Sequence, residues 1–204
     1  MTPRRYELKR RAERQAETRR RIVEAVVALH REVGPARTTI SAIAERAGVE
    51  RLTVYRHFAD DSALYAACSA HFRAETRTPD PGVWADVGDP AERLRATLLE
   101  FYGYYGRGEE MLGHLRRDAP RIPALAAVVA PWGEFVESVR TELLERWGVH
   151  GAARARLSAV LAHALRFETW QSLAREEALG DAAAADLMVG LARVAGGTDR
   201  SAHG

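Results

Sequence analysis

The sequence holds one cysteine, Cys68, which excludes an intrachain disulfide and leaves no thiolate cluster to hold a metal. It holds one lysine, Lys9, among 30 basic residues. Lys9 follows no glycine loop, so a P-loop, a Schiff-base lysine and a protein-kinase site all lack their central residue. No N-terminal apolar h-region and no run of eighteen apolar residues occur, and the expectation is a soluble, cytoplasmic protein with no membrane partner. G-x-S-x-G, H-E-x-x-H and paired E-x-x-H spacings are missing as well. Glu110 with His114, and His163 near Glu168, stand without a second set of ligands. The chain is therefore read as no enzyme, with neither metal nor cofactor; an all-α enzyme is the distant alternative.

What is present is ordinary globular material. Of 204 residues 47% are apolar and 28% charged, enough for one compact unit or two small ones. The net charge of +2 hides an asymmetry: residues 1–60 carry 14 Lys/Arg against 8 Asp/Glu, residues 61–204 carry 16 against 20. A +6 end on a −4 body is the footprint of a chain that leans on a polyanion through one module, a solvated basic tail being the bland reading.

Residues 4–21 contain nine basic and three acidic residues and almost no apolar ones. The arm, residues 1–17, is expected to be disordered or a frayed helix. From Ile22 the spacing Ile22, Val26, Leu29, Val33 predicts an amphipathic helix closed by Gly34-Pro35. Thr38-Thr39 offers an N-cap to a short helix through Ile40, Ile43, Ala44 and Ala47 that Gly48 stops. A second short helix covers Arg51–Phe58, and Asp60 or Asp61 caps another through Leu64, Tyr65, Cys68 and Phe72. Thr78-Pro79-Asp80-Pro81-Gly82 is the strongest break and places a domain boundary nearby. Beyond it the pattern predicts helices after Asp89-Pro90, at Met111–Arg117, at Ile122–Val129, from Pro131 to Trp147, from Ala152 to Glu177 and from Asp181 to Ala195. Strand alternation is nowhere convincing; the fold class is all-α, with about nine helices.

Residues 38–58, TTISAIAERAGVERLTVYRHF, carry the chemistry. Two short helices joined by a glycine turn form a helix-turn-helix, whose second helix enters the major groove. With Val54 and Phe58 inward, 100° per residue turns Leu52 and Arg56 outward, flanked by Arg51, Thr53, Tyr55 and His57. Arg51 and Arg56 can fork onto guanine O6 and N7, Thr53 and Leu52 can press a thymine methyl, and Tyr55 and His57 can meet phosphates. A helical hairpin that merely packs is the alternative.

The stretch Thr39, Ile43-Ala44-Glu45-Arg46-Ala47-Gly48-Val49, Thr53-Val54-Tyr55-Arg56-His57-Phe58 and Leu64 closely resembles the DNA-binding domain of TetR-type transcriptional repressors, over roughly residues 18–70. The resemblance implies a three-helix DNA-binding domain (18–66) and a helical effector-binding and dimerisation domain (67–204). It gives Arg51, Leu52, Thr53 and Arg56 base-facing positions and Thr39, Ser41, Tyr55 and His57 backbone-facing ones. Leu52 departs from the small residue frequent in the family, and Asp61 from a phosphate-binding lysine. A carboxylate at Asp61 stabilises its helix and repels the duplex. Glu50 is read as a helix cap, with cytosine N4 as the alternative. The basic arm, through Arg4, Arg5, Lys9, Arg10 and Arg11, is the candidate to compensate for Asp61.

Beyond residue 83 the resemblance is one of layout. Leu157, Val160, Leu161 and Ala164 make one apolar face of the penultimate helix, and His163, Phe167 and Trp170 a second stripe. Ala184, Leu187, Met188, Leu191 and Val194 line the last helix. The resemblance implies that such a pair forms a four-helix homodimer interface, for which Leu157, Val160, Leu161, Ala164, Leu187, Met188 and Leu191 are the candidates. A monomer whose last helices pack on the body is the alternative. It also implies a pocket for a small-molecule effector, with Tyr105, Trp132, Phe135, His163 and Phe167 as candidate lining, and a switch through the fourth helix, Asp61–Arg77. The expected partners are double-stranded DNA, a second copy of the chain and that effector. A constitutive DNA-binding protein of the same fold is the rival.

Overall fold

A computed structural model describes residues 3–197, with side chains from Tyr6 onward. The described chain is helical, without a strand, and contains nine α-helices. The first compact unit runs to Glu75 and takes in Glu110–Val129; the second comprises Thr76–Glu109 and the chain from Ala130 on.

In the first unit α1 (Pro3–Glu32) is one continuous helix, not a disordered arm followed by a helix. The reason lies in propensity and nucleation. Residues 6–18 are mostly Arg, Glu, Ala, Lys, Gln and Leu, all good helix formers, and they extend a helix whose buried part, Ile22, Val26 and Leu29, already supplies the nucleus. Elongation then costs little even though residues 6–17 are exposed on every side.

Helix α2 (Ile40–Ala47) begins at Thr39, whose Oγ1 accepts from Ala42 N at 3.1 Å. It ends at Gly48, in the left-handed region at φ 63°, so that the Gly48 and Val49 amides return to the Glu45 and Ala44 carbonyls. A side chain at this turn would carry the left-handed penalty and press a Cβ to within 2.7 Å of the Arg21 guanidinium. Helix α3 (Arg51–His57) follows, and the Glu50 side chain makes no cap bond to it. Asp60 caps α4 (Asp61–Glu75) by accepting from Ala63 N at 2.8 Å. Ile22, Val26, Ile43, Ala44, Ala47, Val54, Phe58, Leu64, Cys68 and Phe72 are buried together as the core of this unit.

Two long helices, each shared between the two units, override their breakers. Helix α5 (Pro90–Asp118) runs through Gly103, Gly106, Gly108 and Gly113, and α6 (Pro123–Arg146) runs through Pro131; separate helices were expected at both places. A glycine costs a helix about 1 kcal/mol, whereas each buried Leu94, Leu98, Phe101 and Tyr105 on α5 returns about 1.5–3 kcal/mol.

The opposite error occurs at residue 165. One helix was expected from Ala152 to Glu177, but α7 (Gly151–Ala164) stops, and α8 (Phe167–Trp170) restarts the chain and continues as a π-helical turn, Gln171–Glu176. Three of the carbonyls at the break take side-chain donors. Thr169 Oγ1 donates to His163 O at 2.6 Å, Tyr102 to Ala164 O at 3.0 Å and Tyr105 to Leu165 O at 2.6 Å. Helix α9 (Gly180–Gly196) packs on α7 and on the π-helical turn, and buries Ala184, Ala185, Met188 and Ala192.

Candidate nucleic-acid interface

Two arginines of α1 hold the helix-turn-helix to the body of its domain. Arg19 donates to the His57 carbonyl at the end of α3 at 3.0 Å, and its guanidinium lies 4.2 Å from the Phe58 ring centre. Arg21 donates to the Ala47 carbonyl and to Gly48 O at 3.1 Å, at the end of α2. Cations thus sit at the negative ends of both short helices and bind the carbonyls that helix geometry leaves open. Arg46 adds a fork onto Glu32, one arm at 2.8 Å, tying α2 to α1.

So held, α3 turns Val54 inward, with Phe58 beyond its end also buried, and leaves Arg51, Leu52, Tyr55 and Arg56 exposed. Leu52 and Tyr55 retain 55% and 51% of their surface, large for apolar bodies on a domain this small. Thr53 and His57 are half-buried on the flanks, as is Ile40 at the start of α2; Thr39 and Ser41 are exposed. The Thr39 oxygen accepts the cap bond, which leaves its O–H proton to give to a phosphate oxygen. The exposed face of α3 therefore combines two guanidinium forks, an apolar leucine and a phenol. Asp61 lies exposed in the first turn of α4.

In the second unit four of the five pocket candidates meet in one aromatic cluster. Phe135 stacks on Phe101 at 5.9 Å, Trp132 lies 5.5 Å from Phe135 and 6.4 Å from Tyr105, and Tyr105 meets Phe167 edge-on at 5.5 Å. His163 is exposed instead, because the break after Ala164 separates it from Phe167. Phe101, Tyr104 and Trp170 belong to the cluster but were not picked out. Their signal was the density of aromatics along α5, which does not tell lining from core. Trp84, fully buried 6.3 Å from Phe101, keeps its indole N–H without an acceptor among the described residues.

The dimer candidates divide in two. Leu157, Leu161, Ala164 and Met188 are buried between α7 and α9 within the chain, so they are not free for a partner; Val160 is half-buried. Leu187 and Leu191 are 51% and 45% exposed, and Val194 on the same side of α9 is 59% exposed. Among the described residues no helix is long and apolar enough to cross a membrane.

Residues 22–68 match the family model of the bacterial regulatory proteins of the tetR family, the segment that holds the helix-turn-helix. The fold is shared with a TetR-like transcriptional regulator from Rhodococcus sp. RHA1, at 23% identity over 87% of this chain and 94% of that one, with a TM-score of 0.61. A TetR transcription regulator from Haloarcula marismortui is similar at 17% identity, 90% and 98% coverage and a TM-score of 0.57. A fatty acid degradation regulator from Bacillus halodurans is similar at 17% identity, 90% and 96% coverage and a TM-score of 0.52. A comparison with curated proteins finds no match. The fold is that of a class of all-helical proteins with an N-terminal helix-turn-helix. Residues 22–68 are thus similar to the tetR-family DNA-binding segment, and the chain as a whole shares the fold of these regulators.

Proposed function

We propose that the protein is a cytoplasmic, homodimeric repressor that binds a palindromic operator and is released by a small molecule. The observation that carries the DNA-binding reading is the exposed quartet Arg51, Leu52, Tyr55 and Arg56 on a helix anchored at its far end by Arg19. Arg51, Leu52, Thr53 and Arg56 read base edges, while Thr39, Ser41, Tyr55 and His57 hold phosphates.

The exposed stripe Leu187, Leu191 and Val194 supports dimerisation, since a surface of that kind calls for a cover and a two-fold dimer reads two half-sites roughly 34–36 Å apart. The aromatic cluster around Tyr105, Trp132, Phe135 and Phe167, with the unused Trp84 N–H, supports an uncharged, largely apolar effector carrying a hydrogen-bond acceptor. Effector binding there shifts α4 and with it the separation of the two recognition helices.

The test is selection of duplexes from a random pool by the full chain at low salt. Enrichment of an inverted repeat is expected, and indifference to every duplex would end the reading. Screening uncharged aromatic compounds for release of the selected duplex separates the effector-responsive regulator from its constitutive rival.

A further inference from the structure

Helix α1 extends about four turns beyond its last buried contact, and nothing in the core of its domain requires that extension. Residues 6–17 are exposed throughout, and exposed helices of this length are marginal in water by themselves. The extension is also patterned. Arg10, Arg14 and Arg21 stand at i, i+4 and i+11, so Arg10 and Arg14 lie about 20° to either side of Arg21 around the helix. Arg21 fixes where that side points, because its guanidinium binds the Ala47 and Gly48 carbonyls in the turn just before α3.

Arg14 and Arg10 therefore continue the helix-turn-helix side of α1 for about 10 and 16 Å past Arg21, with Arg11 next to them. The acids of the segment are partly paired: Glu17 is bound by Arg20 at 2.7 Å, and Glu13 faces Lys9 at 3.8 Å. Glu7 and Glu17 share the arginine side, Glu17 already neutralised by Arg20. Arg10 rests 5.8 Å from the Tyr6 ring, a contact that leaves its donors exposed. Arg4 and Arg5, also candidates, have side chains outside the described residues. Asp61, exposed in the first turn of α4, adds a carboxylate and no cation there.

We propose that this extension is a second DNA-contacting element, in which Arg10, Arg11 and Arg14 bind phosphates flanking the half-site that α3 reads. The occupant is duplex DNA rather than a second chain because the stripe is cationic and continuous with the recognition turn. The proposal rests on the DNA-binding reading above. The experiment compares the full chain with its triple variant Arg10→Gln, Arg11→Gln, Arg14→Gln on the duplex that the wild type selects.

Loss of three phosphate contacts lowers the slope of log affinity against log salt by about 2–3 and weakens binding at least tenfold at moderate salt. The hydroxyl-radical footprint should lose about half a turn of DNA on each outer flank, with base preference and melting temperature unchanged. An unchanged slope and footprint would overturn the proposal while leaving the recognition helix in place. A change in oligomeric state without a change in slope would also overturn it, assigning the arm to a second copy. A wild type that selects no duplex would overturn the proposal and the reading beneath it together.

Discussion

At the scale of single residues, His30 and Cys68 form a buried pair in the DNA-binding unit, Nδ1 to Sγ at 3.3 Å. Burial pulls the imidazole down to about 4, against the opposing field of Asp118, and pushes the thiol up to about 12. Both groups are therefore neutral at pH 7. The unfolded imidazole takes its proton near 6.5 and the folded one near 4, so the stability this site contributes is complete above pH 6.5 and is lost as pH falls toward 4. Between pH 7 and pH 5 the loss is about 2 kcal/mol. Urea unfolding followed by circular dichroism should show it, and His30→Gln should flatten the dependence; an equal slope in the variant would exclude His30 as its source. The same burial makes Cys68 inert, so iodoacetamide at pH 8 should label it only in denaturant.

The base-reading assignments are also matters of single residues. If Arg51 forks onto a guanine, Arg51→Ala relaxes preference at one base position by about 1–3 kcal/mol. Tyr55→Phe removes a phosphate donor and weakens all sequences about equally. Competition binding with single-base operator variants separates the two, and uniform loss in both variants would refute the division of roles.

At the scale of elements, the turn between α2 and α3 has no slack. Gly48→Ala carries the left-handed cost of about 1–2 kcal/mol and pushes against Arg21, which closes α2. The expected result is a melting temperature lowered by several degrees with weaker operator binding; an unchanged melting curve would mean that the turn relaxes. This element was legible in the sequence because its determinants are local: a threonine cap, a glycine stop and apolar residues three and four apart.

The helices of the second unit were less legible because their limits are set from outside. The end of α7 depends on Tyr102 and Tyr105, some 60 residues earlier in the chain, taking its last carbonyls. No local pattern announces that. Likewise Gly103 and Pro131 read as breakers until the packing of α5 and α6 is known, and the arm reads as disordered or a frayed helix because periodicity sees buried faces and misses propagation from a formed helix. His163 was misplaced for the same reason as the end of α7. Tyr102→Phe tests the non-local control: the Ala164 carbonyl loses its donor inside the core, at a cost of about 1–3 kcal/mol. Destabilisation within that range, read by urea unfolding, is expected, whereas a neutral outcome would show that another donor replaces the phenol.

At the scale of the whole molecule, the proposed function requires two copies, and the chain offers one apolar stripe with no cover of its own. Leu187, Leu191 and Val194 stay exposed on the flank of α9 beside the buried Ala184, Ala185, Met188 and Ala192. Substituting the buried set would unfold the pair and test nothing about assembly. The double change Leu187→Glu, Leu191→Glu puts two charges on the exposed side alone, where surface substitutions cost a folded chain little. In a dimer the same side is buried against its own two-fold image, so each charge faces its copy and is desolvated. Sedimentation equilibrium should then report a dimer for the wild type and a monomer for the variant at equal helicity and melting onset. Binding to the selected inverted repeat should fall at least a hundredfold, because a single recognition helix contacts only half of it. A variant that remains dimeric would move the interface off α9, and a monomeric variant that binds as tightly as the wild type would remove the two-fold symmetry from operator recognition.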